Sequence, residues 1–424
     1  MRFLRRLVSR LILLGVLAAP FLVAAAVLEP EPSAPPAGSP TGRDARAVEA
    51  LIDDVRRITN GTGRGVVEVT REDLIAALRL AGRAFPGARG NAVIDGRGVT
   101  VDLSLPVPIE GAGWLNLHAK APPSRDGLRI ENARVGGLHI PPALVLPLLR
   151  LSLDLGTGTD AGAIATRAIA GLVTAGGSAR VTIVMDRAER DRLRDAARDG
   201  LMGTRRASAE DIGHYLDHLS EAADARRLGT DLAPWLRLAV EEAARRAEGG
   251  NPAREIEAAL LALGLDCGSR SLASVIGDVP PESRVRSQCA RVRLAGRTDL
   301  RQHFTLSAAL RAAGRSGTAF AIGEFKELLD SRGGTGFSFD DILADRAGIR
   351  FAERLMAAKP AAWPSLATRL TTGDAALMPD ARGLPSGMSE AAFRRTVGEV
   401  GSPAYRDLIA EVDRRLDAAP FFAE

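Results

Sequence analysis

Aromatic residues and lysine are scarce in this 424-residue chain, and both shortages bear on function. Phe, Trp and Tyr together make up 4% of the residues, which leaves few rings for surfaces that stack on bases or sugars. Only Lys120, Lys326 and Lys359 are lysines, so the basic residues are almost all arginine. Because the arginines are interspersed with Asp and Glu and the net charge is only +4, the sequence predicts no nucleic-acid partner.

Cysteine is also scarce, with Cys267 and Cys289 as the only two. In a reducing cytosol they are small apolar residues, whereas outside the cytoplasmic membrane they can form a disulfide. Such a bond would contribute roughly 3 kcal/mol in the chain-entropy description. The extracytoplasmic location inferred below favours the disulfide over two free thiols.

Motifs for metals and cofactors are missing. His214 and His218 have the helical i,i+4 spacing of a zinc pair, but Tyr215 stands where a metalloprotease has glutamate. We therefore predict two exposed histidines there. The stretch Gly156–Gly177 lacks the glycine spacing of a phosphate-binding loop, which predicts a flexible connection with a small-residue helix. The sequence predicts no metal and no cofactor.

The longest apolar run lies near the N-terminus, from Leu11 to Leu28. Its length is just sufficient to cross a bilayer as a helix, and basic residues before it favour a cytoplasmic N-terminus. We predict a membrane anchor over residues 1–28, single-pass in the inner membrane, with the bulk of the chain in the periplasm. The alternative is a signal peptide cut after Ala24-Ala25-Ala26, with secretion into the periplasm. The basic residues before the run are Arg2, Arg5, Arg6 and Arg10.

The remaining pattern predicts an α+β protein, with a small antiparallel-sheet domain followed by a mostly α-helical C-terminal half. Val99–Leu105 alternates apolar and polar residues, as in an antiparallel strand with one covered face. Thr70 and Asp73 have the spacing of a helix-capping box. The predicted divisions are a Pro/Gly-rich linker over 29–43, an α+β envelope domain over 44–186, a helical bundle over 187–265 and an α-helical domain over 266–424.

Two short segments of the α+β region carry a resemblance. Val69–Leu78 includes the Thr-x-x-Asp helix start, and Val135–Pro142 is a glycine turn that leads into an apolar helix. In this order they resemble bacterial extracytoplasmic domains of the YpmS type. The resemblance implies an envelope module that handles a lipid or another partner and whose activity is unsettled.

A denser motif covers residues 298–355. It runs Asp-x-x-x-His-Phe-x-x-Ser-Ala, then Lys-Glu-x-x-Asp-Ser, then Gly-x-Ser-x-x-Asp-x-x-x-Asp-x-Ala-Gly. This pattern resembles the VanZ-like superfamily, above all the YfiM-type envelope lipoproteins, and implies packed helices without naming a reaction. The matching positions are Asp299, His303, Phe304, Ser307, Ala308, Lys326, Glu327, Asp330, Ser331, Gly336, Ser338, Asp341, Asp345, Ala347 and Gly348.

The polar residues of this motif also have simpler explanations. Asp299 and His303 can form a local ion pair, and Ser338 with Asp341 can form a capping box. Asp345 is harder to explain, because Gly348 and Ala352 continue its stripe and permit close helix packing. A carboxylate on such a stripe needs a partner, for which His303 and Lys326 are the candidates. The charged positions beginning about 100° away predict a solvated side, namely Arg346, Arg350, Glu353 and Arg354.

Two interpretations of the polar set remain open, a buried structural cluster and a catalytic or ligand-binding site. The first fits a non-enzymatic envelope module for a lipid, glycan or protein partner, or a purely structural tether. The second fits a hydrolase or transferase acting on an envelope lipid or cell-wall precursor, with His303 as base. Both predict that His303, Glu327 and Asp345 meet. The candidate site residues are His303, Lys326, Glu327, Asp330, Asp341 and Asp345.

Overall fold

The computed structural model is an α+β protein with antiparallel sheets, as the sequence predicts. It describes residues 26–85, 87–107, 109, 111–157, 160–193, 207–226, 228–269, 272, 288–314 and 336–423. Within these ranges no helix combines the length and the apolarity needed to cross a membrane. Residues 1–25 of the predicted anchor lie outside the described residues. Leu28 pairs with Leu115 in a strand, so a membrane helix would have to end before it.

The described residues form two compact units. The first contains those up to Gly38 together with Ala47–Leu155 and Asp160–Leu193. Its helices are α1 (Gly42–Asn60, from Ala47 onward), α2 (Arg71–Ala84), α3 (Pro142–Thr157) and α4 (Ala161–Ala168). Its strands are β1 (Leu28–Glu29), β2 (Arg64–Thr70), β3 (Arg89–Asp95), β4 (Gly98–Pro106), β5 (Trp114–Ala121), β6 (Asn132–Val135), β7 (Leu138–Ile140), β8 (Ile169–Ala175) and β9 (Ser178–Val184).

The strands of the first unit form two antiparallel sheets. One is a meander in the order β3-β4-β5-β6-β7, with β1 also paired to β5. The other has the order β2-β9-β8. Thr70 caps α2 in the predicted box, accepting from the Asp73 amide and donating to its carboxylate at 2.7 Å. The stretch Gly156–Gly177, predicted as a connection with a helix, also contains the strand β8.

The polar face of β4 is covered at Ser104, although the alternation predicts burial of one face alone, while the Asp102 side chain on the same face stays 33% exposed. Ser104 is fully buried and donates to the Asn116 amide oxygen at 2.5 Å. The covering chain is the predicted linker, since the amides of Ser33 and Ala34 donate to Asn116 and Ser104 at 3.0 and 2.9 Å. This part of the linker is therefore held on the sheet by hydrogen bonds and is no free tether.

The second unit is helical and contains Ser39–Arg46 and the described residues from Ala207 onward. The predicted division between residues 265 and 266 falls within it, where a helical turn, Gly264–Gly268, follows α7 directly. Its helices are α5 (Ala209–Arg226), α6 (Ala233–Ala247), α7 (Pro252–Leu263), α8 (Thr298–Ala313), α9 (Phe339–Ala357), α10 (Trp363–Arg369), α11 (Glu390–Thr396) and α12 (Pro403–Asp417).

Helices α8 and α9 approach each other closely at Gly348. A Cβ atom at this position would lie 2.1 Å from the Phe304 carbonyl oxygen, so only glycine fits. Phe304 and Phe351 pack beside this crossing with ring centroids 5.5 Å apart. The predicted small-residue stripe is therefore a helix-packing surface.

The predicted solvated side of α9 packs instead against the C-terminal residues. Arg346 donates through Nε and Nη2 to the two carboxylate oxygens of Asp413, at 2.8 and 2.7 Å. Arg350 also binds Asp413, and Arg354 donates to the Phe422 carbonyl at 2.8 Å. Arginine-carboxylate pairs therefore join α9 to α12, an interface that the spacing within α9 alone does not reveal.

Candidate functional site

The close crossing of α8 and α9 brings His303 and Asp345 together, as predicted. His303 Nδ1 lies 3.1 Å from Asp345 Oδ1, and Ser307 Oγ donates to the same oxygen at 2.6 Å. Both partners in the imidazole-carboxylate contact are nearly inaccessible, with side-chain exposures of 7% and 6%. A carboxylate oxygen at this position accepts from Nδ1–H, so the contact favours the His303 tautomer that carries its proton on Nδ1. Asp345 Oδ2 is buried and has no hydrogen-bond partner among the described residues.

The other imidazole nitrogen of His303 faces a second carboxylate. His303 Nε2 lies 3.8 Å from Asp341 Oδ2, too far for a hydrogen bond but close enough for attraction between charges. Burial, reinforced by the negative charges of Asp340 and Asp299, raises the pKa of Asp341 to about 6, although His303 and Arg297 oppose the shift. Asp341 therefore retains a proton at a pH where an ordinary aspartate has lost it.

Two local contacts predicted from spacing do not form, because other groups take the place of the predicted partners. Asp341 is not the capping partner of Ser338, whose Oγ accepts instead from the Gly387 amide at 3.0 Å. Asp299 pairs with Arg297, at 3.1 and 2.5 Å, and this hydrogen-bonded pair lowers the pKa of Asp299. Because the Asp341 side chain does not cap the helix, it can face His303.

Four residues outside the predicted site also belong to this cluster. Arg297 binds Asp340 and lies 3.4 Å from Asp341, while Ser307 holds Asp345. Ser386 Oγ donates to Asp340 at 2.9 Å. Ser307 stands in the motif and could have been selected there, whereas Arg297 and Asp340 have no signal beyond their charge. Lys326, Glu327 and Asp330 lie outside the described residues, so their predicted convergence with His303 stays a prediction.

The disulfide lies beside the same helix. Cys267 and Cys289 are bonded, with Cα atoms 4.9 Å apart, in the pairing that the sequence analysis favours. The guanidinium of Arg301, a buried residue of α8, donates to the Cys267 carbonyl, and burial lowers the pKa of Arg301. Asp266 lies close enough to both sulfur atoms for a shared metal, but the disulfide uses both of them. The arrangement is a structural crosslink.

The second histidine of interest has a carboxylate partner of its own. His214 Nε2 lies 2.7 Å from Glu242 Oε1, and Arg245 donates to Glu242 at 2.8 and 2.6 Å. Burial acts to raise the pKa of Glu242, but these hydrogen bonds and the charge of His218 lower it to about 2. His214 is half-buried rather than exposed as predicted, because its ring packs beside α6 in contact with Glu242.

A cavity of about 420 Å³ lies elsewhere in the helical unit, near the N-terminus of α11. Its volume falls within the range of small-molecule sites. Phe337 and Phe393 supply apolar walls, and Glu390 and Arg394 supply charge. Pro40, Thr41, Gly42, Gly398 and Glu399 complete the lining.

Comparison with protein-family models, with curated proteins and with solved structures finds no match to this chain. The resemblances to YpmS-type domains and to the VanZ-like and YfiM-type pattern therefore stay predictions. The buried imidazole of His303 contacts carboxylates through both nitrogens, an arrangement that can hold a proton in place and fix two helices.

Proposed function

We propose that this chain is a membrane-anchored protein of the bacterial cell envelope, with its bulk in the periplasm. It acts there as a non-enzymatic binding or assembly module for a lipid, glycan or protein partner. The observation that carries this proposal is the closed state of the His303 cluster. Both ring nitrogens face carboxylates of α9, and the three side chains involved are 6–7% exposed. A general base has to reach its substrate, and this imidazole is turned toward the protein.

Other features support the location and the binding role. The Cys267–Cys289 bond suits an oxidising compartment such as the periplasm. The cavity beside α11 offers a ligand space separate from the buried cluster. Both features fit a protein that binds a partner without catalysing a reaction.

The second candidate function, a hydrolase or transferase on an envelope lipid or cell-wall precursor, is favoured by one observation. Burial raises the pKa of Asp341 to about 6, and a buried carboxylic acid of this kind can act as a general acid. His303 would be the base, oriented by Asp345. For this role the cluster has to open toward a substrate.

The location is tested by fusing reporters after Gly42. A reporter active only in the periplasm should give signal, and one active only in the cytoplasm should not. The reverse result would contradict the envelope location.

The two functions are separated by His303→Gln and Asp345→Asn in a strain whose own copy of the gene is deleted. The non-enzymatic module predicts that each variant complements the deletion wherever its abundance and circular dichroism match those of the wild type. Complementation should then be lost only on warming, at temperatures where the variant unfolds. A variant that is folded, abundant and unable to complement would favour the enzyme. Asp413→Asn, at the surface between α9 and α12, is the matched control.

A further inference from the structure

In helix α3 of the first unit, charged side chains face the protein and leucine side chains face outward. Its charged residues Arg150 and Asp154 turn toward α4, where Arg150 Nε donates to Thr166 Oγ1 at 2.7 Å. Asp154 Oδ1 accepts from the Gly162 amide at 2.7 Å. Leu144, Leu148 and Leu151 are 52%, 44% and 53% exposed. A surface helix in water normally has the opposite arrangement.

The exposed leucines form one continuous stripe. Residues 144, 148 and 151 have the i, i+4, i+7 spacing of a single helix face. Single exposed leucines are ordinary in folded proteins, but a stripe of them along one helix marks a surface that contacts an apolar partner. Pro142–Leu149 contains no charged residue, and Val145 is its one buried apolar side chain among the described residues.

The position of α3 along the chain indicates which partner it contacts. The first described residues lie against the turn between β6 and β7, because the Gly137 amide donates to the Ala26 carbonyl at 3.1 Å. Gly136 has a φ of +56°, and a Cβ there would lie 2.3 Å from the Val27 carbonyl oxygen. Five residues separate Gly137 from Pro142, a span of at most about 18 Å. Helix α3 therefore begins close to the point where the apolar N-terminal run joins the folded chain.

We infer that α3 lies on the surface of the lipid bilayer, with Leu144, Leu148 and Leu151 in the boundary between headgroups and acyl chains. This inference rests on the proposed membrane anchor, which would hold α3 within reach of the bilayer. Leu138 on β7, in the segment between Gly137 and α3, is a further exposed leucine. Because Arg150 is turned inward, the contact is hydrophobic, so it should depend little on anionic lipid or on salt.

The test uses the full chain, carrying Leu148→Cys labelled with an environment-sensitive fluorophore. The disulfide occupies both natural cysteines, so the new thiol is the one that reacts with the label. The protein is reconstituted into phosphatidylcholine vesicles with or without brominated acyl chains. We expect the label to be quenched by brominated lipid and shielded from aqueous iodide. Val66→Cys, which replaces an exposed valine of the other sheet, is the matched control and should show the reverse.

A second variant separates this inference from the anchor. In Leu149→Cys protein labelled at the new thiol, the added changes Leu144→Ser, Leu148→Ser and Leu151→Ser should lower quenching by brominated lipid, while resistance of the protein to carbonate extraction persists. An anchored protein whose label at residue 148 is quenched by iodide and not by brominated lipid overturns the inference and leaves the anchor intact. A label shielded from both quenchers indicates a second copy of the chain on α3 and also overturns it. Extraction by carbonate with lipid quenching retained would contradict the anchor alone.

Discussion

Two carboxylates of the helical unit, Glu242 and Asp341, have similarly low solvent exposure and yet opposite pKa shifts, and Asp341 is the more deeply enclosed of the two. Their side chains are 5% and 6% exposed, and each faces a histidine on a neighbouring helix. The pKa of Glu242 is lowered to about 2, and that of Asp341 is raised to about 6. Burial alone therefore does not determine the protonation state.

The difference comes from the neighbouring charges. Glu242 accepts two hydrogen bonds from Arg245 and lies 2.7 Å from His214. Among the described residues, Asp341 has the Arg297 guanidinium at 3.4 Å and the His303 imidazole at 3.8 Å, and the carboxylates of Asp340 and Asp299 lie nearby. Desolvation raises the pKa of both carboxyl groups. At Glu242 the hydrogen bonds from Arg245 and His214 outweigh it, whereas at Asp341 the more distant basic groups do not. A buried acid is ionised where its hydrogen-bond donors are in place.

The largest effect should come from removing the central acceptor of the buried cluster. Asp345→Ala leaves His303 and Ser307 without the oxygen that both contact, and we expect the free energy of unfolding to fall by roughly 3–5 kcal/mol. Chemical denaturation at pH 7 measures the change. Asp413→Ala, in the more exposed pairs with Arg346 and Arg350, should cost below about 1 kcal/mol. Equal losses in the two variants would show that the buried cluster contributes no more to the free energy of unfolding than the more exposed pairs do.

The two acids should give opposite dependences of stability on pH. The pKa of Asp341 in the folded state lies above its ordinary value, so the folded chain binds the proton more tightly and stability falls as pH rises from about 4 to 6. For Glu242 the folded pKa is lowered, so its contribution is full above about pH 4.5 and is lost as pH falls toward 2.

Asn and Gln substitutions separate these two contributions. At pH 8 Asp341→Asn should raise the free energy of unfolding by roughly 2 kcal/mol, and Glu242→Gln should lower it by a similar amount. Denaturant titrations between pH 2 and 8 measure both effects. If Asp341→Asn destabilises the chain more at pH 8 than at pH 4, the raised pKa is wrong.

A smaller effect should follow from blocking the close approach of α8 and α9. In an open helix Gly→Ala stabilises by up to about 1 kcal/mol, but at Gly348 the new Cβ meets the Phe304 carbonyl. We expect a net loss of roughly 1–3 kcal/mol in thermal or chemical unfolding. Gly249→Ala is the matched control, because a Cβ there meets no atom within 4 Å. The control should be neutral or slightly stabilising, and a Gly348→Ala variant that matched it would refute the tight crossing.

The sequence predicts this structure best where neighbours along the chain decide the outcome. The capping box of Thr70 and Asp73, the strand β4 and the α+β class all follow from local patterns. The meeting of His303 with Asp345, 42 residues apart, follows from a different constraint. A carboxylate on a small-residue stripe must find a partner, and the motif offers few.

The sequence fails where a distant group competes for a local contact. Ser338 has the spacing of a capping residue for Asp341, but the Gly387 amide, 49 residues away, occupies its oxygen. The amide of Ala34 reaches Ser104 across 70 residues and turns part of a predicted linker into a covering for the sheet. A local sequence pattern cannot reveal these distant hydrogen-bond partners, because the fold alone brings them close.

The smallest effect should come from the histidine beside Glu242. His214→Gln removes a half-exposed ring, but Arg245 keeps both of its hydrogen bonds to Glu242, so the carboxylate stays ionised and paired. We expect a change within about 0.5 kcal/mol in the free energy of unfolding at pH 7, as for ordinary surface substitutions. His303→Gln is the comparison, and it should cost more because its site is closed to water and no arginine among the described residues binds Asp345 as Arg245 binds Glu242. A loss at His214 as large as that at His303 would mean that the imidazole, and not Arg245, determines the state of Glu242.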